Sequence, residues 1–337
     1  MHRVFRSLSA LALLTLAGTF NAPRAQADEG MWLLTNPPAA QIKSDYGLDL
    51  APDWLARMQR SAVNFSGASG SFVSPHGLVM TNHHVVRDWV AQVSTPDKNY
   101  INDGLVAATP DQEIPIPGAE VTVLMEIEDV TEKISAAGND KNPADANKAV
   151  LAAIAELEKS EQDRTGLLCR VVTLYGGGQY HLYRSKRYTD VRLVFVPEEA
   201  AAFFGGDNDN FEYPRFCLDA SFVRLYEDGK PISSPDHLTW SPNGAADGEL
   251  TFVFGHPGST SRLLTVDDLI FRRDVQLPQR LASIWRKEIK LQTFATRSDE
   301  HRRVALADIF GYANGRKALT GQLTGLQDPA FIARKRE

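Results

Sequence analysis

Cysteine is scarce in this chain of 337 residues: there are two, Cys169 and Cys217. They form no Cys-x-x-Cys pair and no His-Glu-x-x-His occurs, so neither common zinc-site signature is present. No segment approaches the run of about 20 apolar residues that a membrane-spanning helix needs. Basic residues are not in excess either, with 36 Lys and Arg against 42 Asp and Glu and a net charge of −6. A chain with no basic stripe to neutralise phosphates is not expected to partner nucleic acid or an anionic membrane surface. Internal repeats and low-complexity tracts are absent. The remaining composition, 43% hydrophobic and 23% charged, is that of an ordinary globular protein.

The N-terminus reads as an export signal. Arg3 and Arg6 form a basic start, Leu8 to Phe20 is apolar but too short to span a bilayer, and Ala25-Gln26-Ala27 is a small-x-small cleavage site. Cleavage after Ala27 removes Arg3, Arg6 and Arg24 and shifts the formal charge from −6 to −9. The expected destination is a bacterial periplasm. In that oxidising compartment a Cys169–Cys217 disulfide is expected, since both residues lie in strand-like segments; two buried free thiols are the alternative.

About 310 residues then remain, enough for two domains with proper cores. Residues 28–264 read as β-rich. Residues 28–64 form an arm with a helical piece at 53–59. A hairpin follows at 71–81, and strands are expected at 121–127, 167–175, 179–184, 191–197, 220–226 and 250–254. Residues 143–160 interrupt them as a helix, with Asn142 as N-cap and Pro143 in the first turn. From Thr265 to Glu337 the pattern is helical, with Leu281, Ile284, Trp285, Ile289 and Leu291 at helical spacing and a kink or break expected at Pro278.

The hairpin ends in Thr81-Asn82-His83-His84. Adjacent histidines on a strand point to opposite faces and do not readily bind one metal ion. A histidine at a strand-to-helix corner beside a core hairpin is, however, how trypsin-like serine peptidases present a general base. Asp219, directly before the strand at 220–226, sits where a rigid carboxylate could orient that histidine. The polar loop Phe204 to Asp219 contains Asp207 and Asp209 in a turn-rich setting. Their spacing does not complete an EF-hand, because the third ligand position is Phe211 and no Glu closes the frame.

Several stretches together resemble the S46 family of serine peptidases, the periplasmic dipeptidyl peptidases of the 7 and 11 type. They are Gly30-Met31-Trp32, the Ser71-to-Ser74 and Gly77-to-His84 segments, Asp190 to Pro197, Phe203 to Arg215 and Gly255 to Arg262. The resemblance implies an α+β chain, mainly a chymotrypsin-like double β-barrel, here incomplete, with the start of an inserted α-helical cap domain from 265 onward. It implies His84 as general base and Asp219 as its orienting carboxylate, with Asn210, Phe211 and Asn314 holding the α-amino group of a peptide with a free N-terminus. The implied reaction is acyl transfer that releases N-terminal dipeptides, with no cofactor or metal and with a homodimer as the full-length assembly.

Two departures accompany that resemblance. Relatives carry a disulfide joining the residue after the catalytic His to the start of the hairpin, where this chain has Val85 and Ala68. The nucleophilic serine is also missing: Ser69 belongs to the hairpin itself, and Ser259 and Ser261 lie in a Gly-Pro turn. The chain is therefore expected to be a truncated fragment, inactive by itself. A non-catalytic peptide-binding protein and a calcium-stabilised export protein are the competing readings.

Overall fold

Ser66 and Gly67 both take positive φ (53° and 106°), and Gly67 N–H donates to Asn64 Oδ1 at 2.8 Å. Two such residues in succession make the tight turn that lets two strands pair directly. The first strand of this hairpin, which opens the sheet, begins at Ala62, at the end of the segment read from sequence as an arm. The computed structural model describes residues 31–139, 142–212, 214–258 and 264–336. The leader, its cleavage site, and Ser259 and Ser261 lie outside these residues.

In chain order the elements begin α1 (Ala39–Tyr46), α2 (Pro52–Ser61), β1 (Ala62–Phe65), β2 (Ala68–Phe72), β3 (Leu78–Thr81) and α3 (His83–Val93). Then come α4 (Tyr100–Asp103), β4 (Leu105–Val106), β5 (Ile114–Pro115), β6 (Val121–Asp129), α5 (Thr131–Ala136) and α6 (Pro143–Thr165). β7 (Leu168–Leu174), β8 (Gln179–Tyr188), β9 (Asp190–Val196), β10 (Ser221–Glu227) and β11 (Lys230–Pro231) complete the sheet. The C-terminal part is helical: α7 (Val266–Phe271), α8 (Leu277–Ala295), α9 (Asp299–Gln327) and α10 (Pro329–Arg336).

Among the described residues the strands form one antiparallel sheet in the order β4-β9-β10-β3-β2-β1-β6-β8-β7. It curls strongly. Lys186 on β8 reaches Glu227 on β10 at 3.0 Å although β3, β2, β1 and β6 lie between them in the ladder. The concave side is filled by Val63, Val79, Val121, Leu193, Val223 and Leu225, and α3 closes it with Val86 and Val90. A second cluster, including Ile134, Leu157 and Leu182, lies under α5 and α6, and a third joins α8 to α9 through Leu277, Leu281 and Leu319. The mixed helix-and-sheet architecture agrees with the sequence expectation.

Asn142 caps α6 by accepting from Asp145 N–H at 3.1 Å, as its position before Pro143 predicts. Pro278 is the second residue of α8, and a π-helical turn over Arg272–Gln276 runs directly into that helix. The proline has no N–H to return to the preceding turn, so a widened turn at this point costs the helix little. One expected strand is not formed: 250–254 pairs with no edge. Its aromatics turn to α2 instead, with Phe252 and Phe254 ring centroids 5.3 and 5.4 Å from that of Trp54.

The expected disulfide is also absent, and both cysteines are free. Cys169 is buried on β7 at one end of the ladder, beneath α6. Cys217 precedes β10, with five strands between β10 and β7 in that order, and its thiol donates to Phe203 O at 3.1 Å. A disulfide needs Cα atoms within about 7 Å; here Cys169 packs in the cluster under α5 and α6 while the Cys217 thiol bonds to Phe203 O. Alkylation of the unfolded, unreduced protein should therefore label both cysteines in a mass spectrum. Recovery of an unlabelled, cross-linked species would contradict this arrangement.

Candidate active site

The register of β10 against β3 brings the candidate pair together. Ser221 lies opposite Thr81. Asp219 is two residues before Ser221 and His84 three residues after Thr81, so antiparallel pairing carries both to the same end of the sheet. Asn82 then takes extended backbone (φ −76°, ψ 151°) and α3 begins.

The phase of α3 separates the two histidines. His83, Val86 and Val90 point into the core, and His83 is 1% exposed. Burial pushes the His83 imidazole below its ordinary value, so it is kept neutral, and its Nε2 has no partner among the described residues. His84, one position on, faces outward toward Asp219.

Asp219 does two jobs at once. Its Oδ1 accepts the His84 backbone N–H at 2.9 Å, capping α3 from just before β10, 135 residues away in sequence. Its Oδ2 lies 2.7 Å from His84 Nδ1. Asn82 supports the carboxylate from the side, its Nδ2 donating to Asp219 O at 3.0 Å and to Oδ2 at 3.2 Å. Burial acts to raise the Asp219 pKa, but the bonds from the His84 ring and backbone outweigh it and hold the carboxyl below its ordinary value. An ionised carboxylate can only accept, so Nδ1 carries a proton, and in the neutral ring Nε2 is the nitrogen that keeps its lone pair. Among the described residues no serine hydroxyl is bonded to that ring.

The other sequence-derived residues lie on the loop before Asp219 and on α9. Asn210 is 2% exposed, and its Nδ2 donates to Asn314 Oδ1 at 2.9 Å. Asn210 Oδ1 is buried with no partner among the described residues. Phe211 next to it takes φ +64° with an exposed ring, an unusual backbone state for a bulky residue. Lys317, also on α9, donates to Asp207 O and Asn208 O at 2.7 and 2.6 Å.

Asp207 and Asp209, weighed from sequence as calcium ligands, serve the loop itself. Asp207 accepts from Gly205 N–H at 2.8 Å and from Arg215 at 2.7 and 3.0 Å, and Asp209 accepts from Phe216 N–H at 2.8 Å. Among the described residues no group of three or more His, Cys, Asp or Glu is arranged to hold a metal.

Ser69 Oγ accepts from His256 N–H at 2.7 Å. Both residues line a cavity of about 870 Å³ between the N-terminal arm and residues 247–257, with Trp54, Phe252 and Phe254. Neither His84 nor Asp219 lines that cavity. Ala68 and Val85, where relatives were expected to carry a disulfide, pack as apolar side chains against the main core. Sequence reasoning passed over Asn82, which supports the carboxylate, and Phe204, whose ring stacks on His84. Asn82 carried a readable signal as the residue before a helix; Phe204 carried none.

Asp219→Ala should cost about 2 kcal/mol at pH 7, the scale of lost hydrogen bonds to a charged group. Because the folded-state pKa of Asp219 is depressed, its stabilisation is present above the unfolded value near 3.9 and is lost as pH falls through the folded value. Denaturant unfolding at pH 7 and near pH 2–3 should therefore show the wild-type advantage shrinking in acid; an advantage that grows in acid would refute the sign.

The Peptidase S46 profile matches residues 27–337. The chain is 30% identical over 331 residues to an Asp/Glu-specific dipeptidyl-peptidase of Shewanella putrefaciens, covering 92% of this chain and 45% of that protein. It is 30% identical over 358 residues to dipeptidyl-peptidase 7 of Porphyromonas endodontalis, covering 98% of this chain and 42% of that one. The chain thus spans somewhat less than half the length of these relatives. The crystal structure of Porphyromonas endodontalis DPP11 superposes with a TM-score of 0.72 at 26% identity, over 91% of this chain and 48% of that one. The same protein with the dipeptide Arg-Asp matches with a TM-score of 0.70, over 92% and 48%. With a family profile matched over residues 27–337 and a fold that follows a solved relative, this chain belongs to the peptidase S46 family.

Proposed function

We propose that this chain carries the base, the orienting carboxylate and the amine anchor of a serine-type dipeptidyl aminopeptidase. The observation that carries the reading is the 2.7 Å contact between His84 Nδ1 and Asp219 Oδ2 at the N-terminus of α3. It leaves Nε2 free to take the proton of a serine hydroxyl as Oγ bonds to the scissile carbonyl. The imidazolium then protonates the leaving amine as the C–N bond breaks. Water attacks the acyl-enzyme with the same base, and the dipeptide leaves.

Asn210 Oδ1, buried and without a partner among the described residues, supports the amine anchor. A substrate ammonium group can donate to it and to Asn314, with the exposed Phe211 ring alongside. An anchor for the charged terminus at a set distance from the base restricts cleavage to the second peptide bond. Residues 28–264 belong in this reading to a chymotrypsin-like double β-barrel, which the strong curl of the sheet supports. Residues 265–337 begin a helical cap. Export to the periplasm after cleavage at Ala27, peptides with free N-termini as substrates and a homodimer belong to the same reading.

The nucleophile is assigned to none of the described serines, since none is bonded to His84 and Ser69 Oγ is engaged by His256 N–H. In this reading the serine is supplied from outside residues 1–337, and these residues alone should show no turnover. A second reading, peptide binding without hydrolysis, draws on that same observation.

Turnover of a dipeptidyl 4-nitroanilide, measured on the protein expressed from the complete gene, separates the two. His84→Ala should lower kcat by about 10⁴- to 10⁶-fold, and the N-acetylated substrate should not be cleaved. Dipeptide binding by calorimetry with no turnover would favour the second reading; full activity in His84→Ala would remove His84 from the chemistry.

A further inference from the structure

A single hydrogen bond fixes a ring at a point but not in a plane. Asp219 Oδ2 holds His84 at Nδ1, which together with the Cβ–Cγ bond limits the ring's rotation but leaves it room to tilt and carry Nε2 with it. The plane is set by Phe204. Its ring lies against the imidazole with centroids 4.0 Å apart and planes 12° from parallel. A parallel aromatic face confines the imidazole to one orientation, and it becomes more favourable when the imidazole is protonated, because a cation is drawn to the π-face.

Phe204 is itself held on several sides. The carbonyl of Phe203 accepts the Cys217 thiol at 3.1 Å. The Arg215 guanidinium lies 5.3 Å from the Phe204 ring centroid and is anchored on Asp207. Phe203 meets Phe310 of α9 edge to face at 4.5 Å. The next two residues are glycines for a steric reason. A Cβ on Gly205 would come within 3.0 Å of Phe310 O, and one on Gly206 within 2.8 Å of the Phe310 ring. Helix α9 is thus seated on the segment that presents Phe204.

We infer that Phe204 is a positioning residue for the general base. It aims His84 Nε2 through the stacked ring, with its own place set by Phe310 on α9. The inference rests on His84 being that base. It makes the helical part of the chain a participant in base alignment as well as in holding the substrate amine.

The test is proton NMR of the protein expressed from the complete gene, following the low-field Nδ1 proton of His84, assigned by its loss in His84→Gln, together with kcat and KM. Phe204→Leu keeps volume but loses the flat face. It should speed exchange of that proton about 3- to 10-fold, the scale of an aromatic pair, and lower kcat about tenfold while KM stays within about twofold. Phe204→Tyr should restore both. Phe310→Ala should show the same direction more weakly, and it remains informative if Phe204→Leu unfolds. The inference is overturned if exchange is unchanged in Phe204→Leu, or if kcat falls without any change in the His84 proton. Failure of the underlying reading looks different: His84→Ala would then retain full turnover, whatever Phe204→Leu does to the resonance.

Discussion

Everything at the site depends on one half-buried carboxylate placed at the start of one helix. Asp219 meets the backbone N–H of His84, its ring Nδ1 and the Asn82 amide at once. Each of these contacts lowers the cost of keeping a charge in a half-buried position, and the free N–H groups at a helix start add their own positive field. The same contacts fix where α3 begins and which tautomer His84 adopts. A carboxylate that both caps a helix and holds the ring on that helix leaves little freedom between scaffold and chemistry.

The sheet exists, for this purpose, to make that meeting unavoidable. β10 lies between β9 and β3, and its register with β3 is pinned by apolar residues that must face inward, Val79 and Val223 among them. A slip of one residue would turn the apolar face of β10 to solvent, so the same burial that stabilises the sheet aligns Asp219 with His84. The loop between β9 and β10 then adds a second tier. Asp207 and Asp209 tie it to itself, while Asn210 and the carbonyls of Asp207 and Asn208 tie it to α9 through Asn314 and Lys317. Sheet, loop and helical segment therefore converge on the same few residues.

Much of this was legible in the chain. Alternating residues and turn chemistry marked the hairpin at 71–81, Asn142 and Pro143 marked the start of α6, and Pro278 marked a disturbed helix. His84 and Asp219 stood out because each adjoins a strand end, where a side chain can be held rigidly. The misreadings have physical causes. Residues 250–254 have strand-forming side chains, but no sheet edge receives them and Trp54 takes their aromatic rings. Cys169 and Cys217 both lie in extended segments, yet the ladder order sets them apart, and ladder order is not a local property.

By itself the sequence determined the local terms: which segments alternate, where turns and caps fall, which histidine pair and which aspartate stand at strand ends, and the motifs that mark an S46 chain. These follow from side-chain volume, hydrogen-bonding groups and backbone preference within a few residues. Only the tertiary structure decided that Asp219 bonds both the ring and the backbone N–H of His84 and so caps α3, that Asn210 Oδ1 is buried with no partner among the described residues, and that Phe204 lies flat on His84. Each of those is a contact between residues far apart in the chain, set by strand register, helix phase and the seating of α9, and none of these has a signature within a short window of sequence.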